Sequence, residues 1–182
     1  MTDRTAGAPR IRLRDVTLDD ADLMDAWGAD PAAAGPFNDF GESHQPIDRE
    51  VLAAGPLRNE RNGQLIVERL ADGRPIGAVS WHVVGYGPTA ESRAWNIGIA
   101  LLPGERGQGY GVEAQVQLAH YLFETTAFHR VEAQTDVDNV AEQRALERAG
   151  FLREGIARGS QYRAGAYHDL VVYSRLREDP PA

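Results

Sequence analysis

The chain has 182 residues, 42% of them apolar and 25% charged, with a formal net charge of −8. That length suits one domain with a substantial core, and the acidic balance argues against a nucleic-acid backbone as the main partner. With no cysteine, disulfides, thiolate metal sites and an acyl-cysteine intermediate are excluded; with no lysine, all nineteen basic residues being arginine, so are Schiff-base chemistry and a P-loop.

No apolar run reaches the roughly 18 residues of a membrane span, and MTDRTAGAPR lacks the apolar centre of a signal peptide. The expectation is a cytoplasmic protein with no membrane partner. Residues 1–10 read as a tail, 11–176 as one domain and 177–182 as a second tail. From Asp15 to Glu50 there are ten acidic side chains and one basic one, Arg49. This is either a solvated face or a negative field around a mouth that admits a cation such as an amine.

In chain order, residues 11–14 alternate as a strand, and Thr17 with Asp19 and Asp20 caps an amphipathic helix through Trp27. Residues 31–46 are rich in Gly, Pro and Asn and read as a loop; a short helix follows over 48–54. Residues 64–70 and 75–84 read as strands around an Asp72-Gly73 turn, and 93–102 as a third. A helix over 111–126, a strand over 130–136, a helix over 140–149 and strands over 151–161 and 166–176 complete the chain. This order predicts a mixed sheet with helices on its faces, in the α/β or α+β range.

The informative stretch is Leu101-Leu-Pro-Gly-Glu-Arg-Gly-Gln-Gly-Tyr-Gly111, between a strand and a helix. Glycines let the backbone approach a ligand, and the free N–H groups and dipole of a helix start favour an anion. A pyrophosphate suits such a nest, and Arg106 offers a charge-assisted donor. The spacing G-x-G-x-G differs from the G-x-G-x-x-G of a dinucleotide site. By itself such a loop is also compatible with a tight turn that binds nothing.

Arg106-Gly-Gln-Gly-Tyr-Gly111 resembles the Q/R-x-x-G-x-G/A signature of GNAT acetyltransferases, with Pro103 ahead of it. Asp138-Asn139, Arg144 and Leu146-Glu-Arg-Ala-Gly-Phe151 resemble the second motif of that family, and Tyr167 to Tyr173 its closing strand. The likeness is strongest to the RimJ/RimL-like branch. It implies a GNAT fold: a mixed sheet of about seven strands, helices on both faces, and splayed strands forming an acyl-CoA cleft. It implies acetyl-CoA as cosubstrate with no metal, direct transfer to a small-molecule amine or a peptide N-terminus, and a monomer or homodimer. A small cationic amine is the favoured acceptor because of the acidic front half. A protein N-terminus and a non-catalytic acyl-CoA sensor are the alternatives.

Residue by residue, the resemblance implies that backbone groups of Ile99, Ala100, Leu101 and Leu102 hold the pantetheine. Arg106, Gly107, Gln108, Gly109, Tyr110 and Gly111 would hold the pyrophosphate, and Asn139 the cofactor arm. Asn139 equally suits a helix cap. The acid and base depart from the family. Leu146 stands where many members have a Tyr donor, Glu142 where RimJ/RimL-like ones have Ser, and Asn96 where a strand Glu is common. Asn96, Glu142 and His82 are the catalytic candidates, Glu142 only if burial raises its pKa. His168 and Asp169 alternate on a strand and form no simple dyad. Asp39, Glu42 and His44 are the candidates for amine recognition.

Overall fold

The structure is a computed structural model that describes residues 8–41 and 44–180. Seven strands form one sheet: β1 (Ile11–Asp15), β2 (Asn62–Arg69), β3 (Arg74–Gly85), β4 (Arg93–Leu101), β5 (Arg130–Asp136), β6 (Leu152–Arg163) and β7 (Ala166–Leu176), in the order β1-β2-β3-β4-β5-β7-β6. Every pairing is antiparallel except β4 with β5. Among the described residues five α-helices join them: α1 (Ala21–Ala29), α2 (Pro31–Ala34), α3 (Arg49–Ala54), α4 (Tyr110–Thr125) and α5 (Val140–Arg148). Among the described residues no helix is long and apolar enough to cross a membrane.

Strand alternation sends one set of side chains to each face of the sheet. Val79, Trp81, Trp95, Ile97, Val131, Ala133 and Tyr173 pack beneath Leu118 and Leu122 of α4 and Leu146 of α5, forming the main core. On the opposite face Ile66 packs with Ala21 and Met24 of α1 and Leu52 of α3. Among the described residues, α1, α2 and α3 make no substantial packing with β5, β7 or β6.

Three boundaries differ from expectation. Residues 31–46 contain a helix, α2: Pro31 fits its first turn and the Asp30 carboxylate accepts from Ala32 N–H. Arg10 is no tail residue, because its backbone N–H donates 2.7 Å to Glu113 of α4. Nor does order end at Leu176, since Arg177 donates to the carbonyls of Phe123, Thr126 and Phe128 at the end of α4 and beyond it.

Candidate active site

The parallel pairing of β4 with β5 covers only Trp95–Ile97 against Val131–Ala133. Beyond it β4 continues paired with β3 alone, and β5 with β7 alone, so the two strands part and leave a cleft with bare edges. Leu102 N–H donates 3.0 Å to the Ile76 carbonyl, extending the β3–β4 ladder. Antiparallel ladders alternate the direction of their hydrogen bonds, so Leu102, Ala100 and Gly98 turn to β3 while Ile99 and Leu101 turn to the cleft. This corrects the expected run of four free residues: Ala100 turns its backbone groups to β3, and Leu102 gives its N–H to β3 while its carbonyl accepts from Glu105 N–H at 2.9 Å. Leu101 offers its N–H only, because its carbonyl accepts from Arg106 Nε at 2.8 Å.

At the mouth of the cleft the chain turns through Pro103–Glu105 into α4. Gly107 and Gly109 have φ of +75° and +86°, values that β-carbon-bearing residues rarely adopt. Gly109 is the N-cap and has no side chain to satisfy the helix start. Among the described residues the N–H groups of Gly107 to Gly111 have no internal acceptor. They lie at the positive end of a 16-residue helix, a place suited to an anion.

The side chains of this loop point elsewhere. Arg106 was expected to reach into the nest; instead its Nε and Nη2 donate to the carbonyls of Leu101 and Ala33. Gln108 Nε2 donates back to Gly104 O at 3.0 Å. The guanidinium beside the nest belongs to Arg10, whose Nη1 donates 2.9 Å to Gln108 O and which lies 4.9 Å from the Tyr110 ring centre. Its place before the first strand hid it in the sequence.

Asn139 caps α5, its Oδ1 accepting from Glu142 N–H at 3.3 Å; its amide NH₂ has no internal partner among the described residues. One turn before the buried Leu146, Glu142 shares that side chain's inward face and meets Gln115 of α4, whose Nε2 donates to it. Burial pushes the Glu142 carboxyl up to about 6, against the opposing effect of Gln115. Gln115 is itself buried, and its Oε1 has no partner.

On the face away from α4, Asn96 Nδ2 donates 3.2 Å to Glu132, its registered neighbour on β5. Glu132 is 1% exposed and also accepts from Tyr86 OH and from Arg130 Nε. Asn96 thus has an amide and a structural partner rather than a base. His82 pairs in register with Asn96 but is exposed. A groove of about 630 Å³ lies on this side, floored by Ala94, Gly155, Ala157 and Val172 and walled by Tyr86 and Ile156. It reaches Gln134, the first β5 residue beyond the β4 pairing.

Two of the amine-recognition candidates, Asp39 and His44, have local partners of their own. Asp39 closes a turn on Gly41 N–H at 3.0 Å and is exposed. Glu42 lies outside the described residues. His44 is 3.2 Å from Asp25 and rests against Gly28 of α1, where an added Cβ would fall 2.0 Å from its Nδ1. Gly28→Ala is accordingly expected to expel the His44 ring and destabilise the 44–49 segment, lowering the melting temperature by a few degrees. A thermal melt checks this; unchanged melting would mean the ring has another seat. Most carboxylates of the acidic front half are engaged as well: Asp20 with Arg14, Asp25 with Ile47 N–H and Arg49, Asp30 and Asp48 as helix caps.

The Acetyltransferase (GNAT) domain model matches residues 10–152. The chain belongs to the GNAT acetyltransferase family. It is similar to the uncharacterized N-acetyltransferase p20 of Bacillus licheniformis, with 25% identity over 93% of this chain and 94% of that protein. In three dimensions it resembles a spermidine N-acetyltransferase from Vibrio cholerae solved with CoA and spermine, with TM-score 0.77 and 19% identity over 93% and 97% of the two chains. It also resembles a ribosomal-protein-S5-alanine acetyltransferase from Vibrio fischeri, with TM-score 0.75 and 19% identity over 94% and 96%. The seven-strand GNAT sheet and the acetyltransferase class follow from these matches.

Proposed function

We propose that the chain transfers the acetyl group of acetyl-CoA directly to a primary amine, with the amides of Gly107–Gly111 gripping the pyrophosphate. The observation that carries this reading is the row of unsatisfied N–H groups at the mouth of the opened strand edge. Acetyl-CoA supplies an activated acyl carbon. Ile99 and Leu101 present backbone groups along its path, and their N–H groups suit an oxyanion. Asn139 Nδ2 and the Arg10 guanidinium are further donors at the rim.

The amine approaches over the groove on the other side of the sheet. Its nitrogen bonds to the acyl carbon, the carbon–sulfur bond breaks, and the thiolate takes a proton from Glu142. The proton shed by the amine leaves to water, from which Glu142 is recharged after product departs. Glu142 suits this role because burial keeps its proton on to a higher pH than an open carboxyl. Gln115 Oε1, unpartnered in its present orientation, becomes the acceptor for that proton if the amide turns over.

A cationic acceptor was favoured from the acidic front half; arginines pair with Asp15, Asp20, Asp22 and Asp25, which removes part of that support. The fold neighbours act on a polyamine and on a ribosomal protein. We therefore propose a primary amine with an apolar portion that rests on Ala94, Ala157 and Val172. The test is thiol release from acetyl-CoA with spermidine, kanamycin, glucosamine and an alanyl peptide. We expect at least one to exceed the buffer rate by about 100-fold, a modest share of ordinary enzymatic acceleration. Release no faster than buffer with all of them, alongside tight CoA binding, would favour a sensor.

A further inference from the structure

Two arginines that the donor site does not use hold one segment at both ends. Arg106, whose Nε binds Leu101 O at the carboxyl end of β4, extends its Nη2 to Ala33 O. Arg163, at the end of β6, is 5% exposed; its Nη2 pairs with the buried Asp136 at the carboxyl end of β5, while Nη1 donates 3.0 Å to Phe37 O. Its guanidinium also lies 5.6 Å from the Phe37 ring centre. Ala33 and Phe37 lie four residues apart, and the strands whose ends they reach are the two that splay. The segment from Ala33 to Phe37 is therefore a strap across the open end of the cleft, anchored to one strand at each side.

Several features fit a fixed strap rather than a passing loop. Both anchors are backbone carbonyls, so they fix the path of the chain whatever side chains it carries. Each guanidinium reaches its strand and the strap at once with several donors in one plane, which a lysine ammonium cannot do. Arg163 spans 126 positions of sequence to do so, and its position is itself held by Gln161 Oε1 at 2.7 Å and by Asp136. Asp136 is in turn fixed: despite its burial, the Asp138 amide and the Arg163 guanidinium keep its carboxyl below the usual range. The strap keeps its own local bonds, Ala33 N–H and Gly35 N–H donating to Asp30 O and Pro31 O at 2.9 and 3.1 Å.

We propose that Arg106 and Arg163 are positioning residues: together they hold residues 33–37 as a strap that sets the distance between the splayed ends of β4 and β5 and walls the cleft against water. The part concerning acetyl transfer rests on the function proposed above. The signature arginine then serves the cleft by tying the cofactor loop to the strap, while the anion is left to the amides.

The test is hydrogen exchange on the full chain, with and without CoA, comparing wild type, Arg106→Lys, Arg163→Lys, the double variant and Arg175→Lys. Lysine at 163 preserves a charge beside Asp136, avoiding an orphaned buried carboxylate. Arg175 is a buried arginine bonded to Ala149 O, away from the strap, and serves as control. Each strap variant is expected to exchange amides of residues 31–38 about 10-fold faster, and the double no faster than the quicker single, because releasing either end frees the strap. CoA affinity of Arg163→Lys should stay within about 2-fold. For any panel amine that turns over, its KM should rise about 10-fold with kcat within about 3-fold, and amine-independent thiol release should increase. Arg175→Lys should change none of these. Unaltered exchange in Arg163→Lys, or a double variant that adds the two single effects in full, overturns the proposal. If no amine reacts with wild type, acetyl transfer fails as a function while exchange still decides whether the strap exists.

Discussion

Gly111→Val is expected to bind CoA at least about 100-fold more weakly, a loss of nearly 3 kcal/mol, while melting within a few degrees of the wild type. The two halves of this expectation have different causes. A Cβ at residue 111 would meet only Leu101 Cδ1, at 3.8 Å, which is ordinary contact. The residue lies in the first turn of α4 with helical backbone, where valine is no worse than glycine. Nothing inside the protein therefore requires glycine here. On the proposed reading, a valine side chain beside the free amides would crowd a diphosphate held there. Gly109→Val would be a poorer test, because its φ of +86° strains any side-chain-bearing residue and would lower stability whether or not a ligand binds. Calorimetry with CoA and a thermal melt on Gly111→Ala and Gly111→Val separate the effects. Affinity within about 3-fold of wild type in the valine variant would remove the loop from the phosphate site.

The nest was legible in the sequence because its features are local. Glycine at alternate positions, a strand before and a helix after are all visible within a dozen residues, and the two positive φ values fall on Gly107 and Gly109. The strands were legible for the same reason, their alternation being a property of neighbours. What escaped depended on register or on distant partners. That Leu102 N–H faces β3 while Leu101 N–H faces the cleft follows from which pairs of the β3–β4 ladder are bonded, and sequence does not encode that phase openly. Arg106 looked like a phosphate ligand because charge and position agreed; the competing acceptor, Ala33 O, lies 73 residues away. The acidic stretch looked like a field because counting charges ignores pairing, whereas arginines pair with Asp15, Asp20, Asp22 and Asp25. Arg10 escaped because a residue before the first strand reads as tail, and only the docking of α4 on β1 brings it to the nest.

Glu142→Gln is expected to lower kcat about 100-fold at pH 6 with little change in acceptor KM, the size expected for loss of one proton donor. Glutamine keeps the shape and a bond to Gln115 but has no proton of suitable acidity for the thiolate. Burial also gives the same residue a signature in stability, independent of turnover. Its carboxyl ionises near 6 in the fold and near its ordinary value of about 4.3 when unfolded. Below pH 4 both states hold the proton, and the residue adds no pH dependence. As pH rises through 4 to 6 the unfolded chain ionises first, so the fold loses stability, by about 2 kcal/mol in all once pH exceeds the folded value. The glutamine variant has no such loss, so relative to wild type it should gain up to about that much between pH 4 and pH 8, read from urea midpoints. The wild-type kcat should also fall on an alkaline limb that the variant lacks. A kcat within about 3-fold of wild type at pH 6 would remove Glu142 from the chemistry even if the stability difference appeared, because burial alone produces that difference. If the stability difference were missing as well, the carboxyl would already be ionised in the fold, and its neighbour Gln115 could only be an ordinary donor to it.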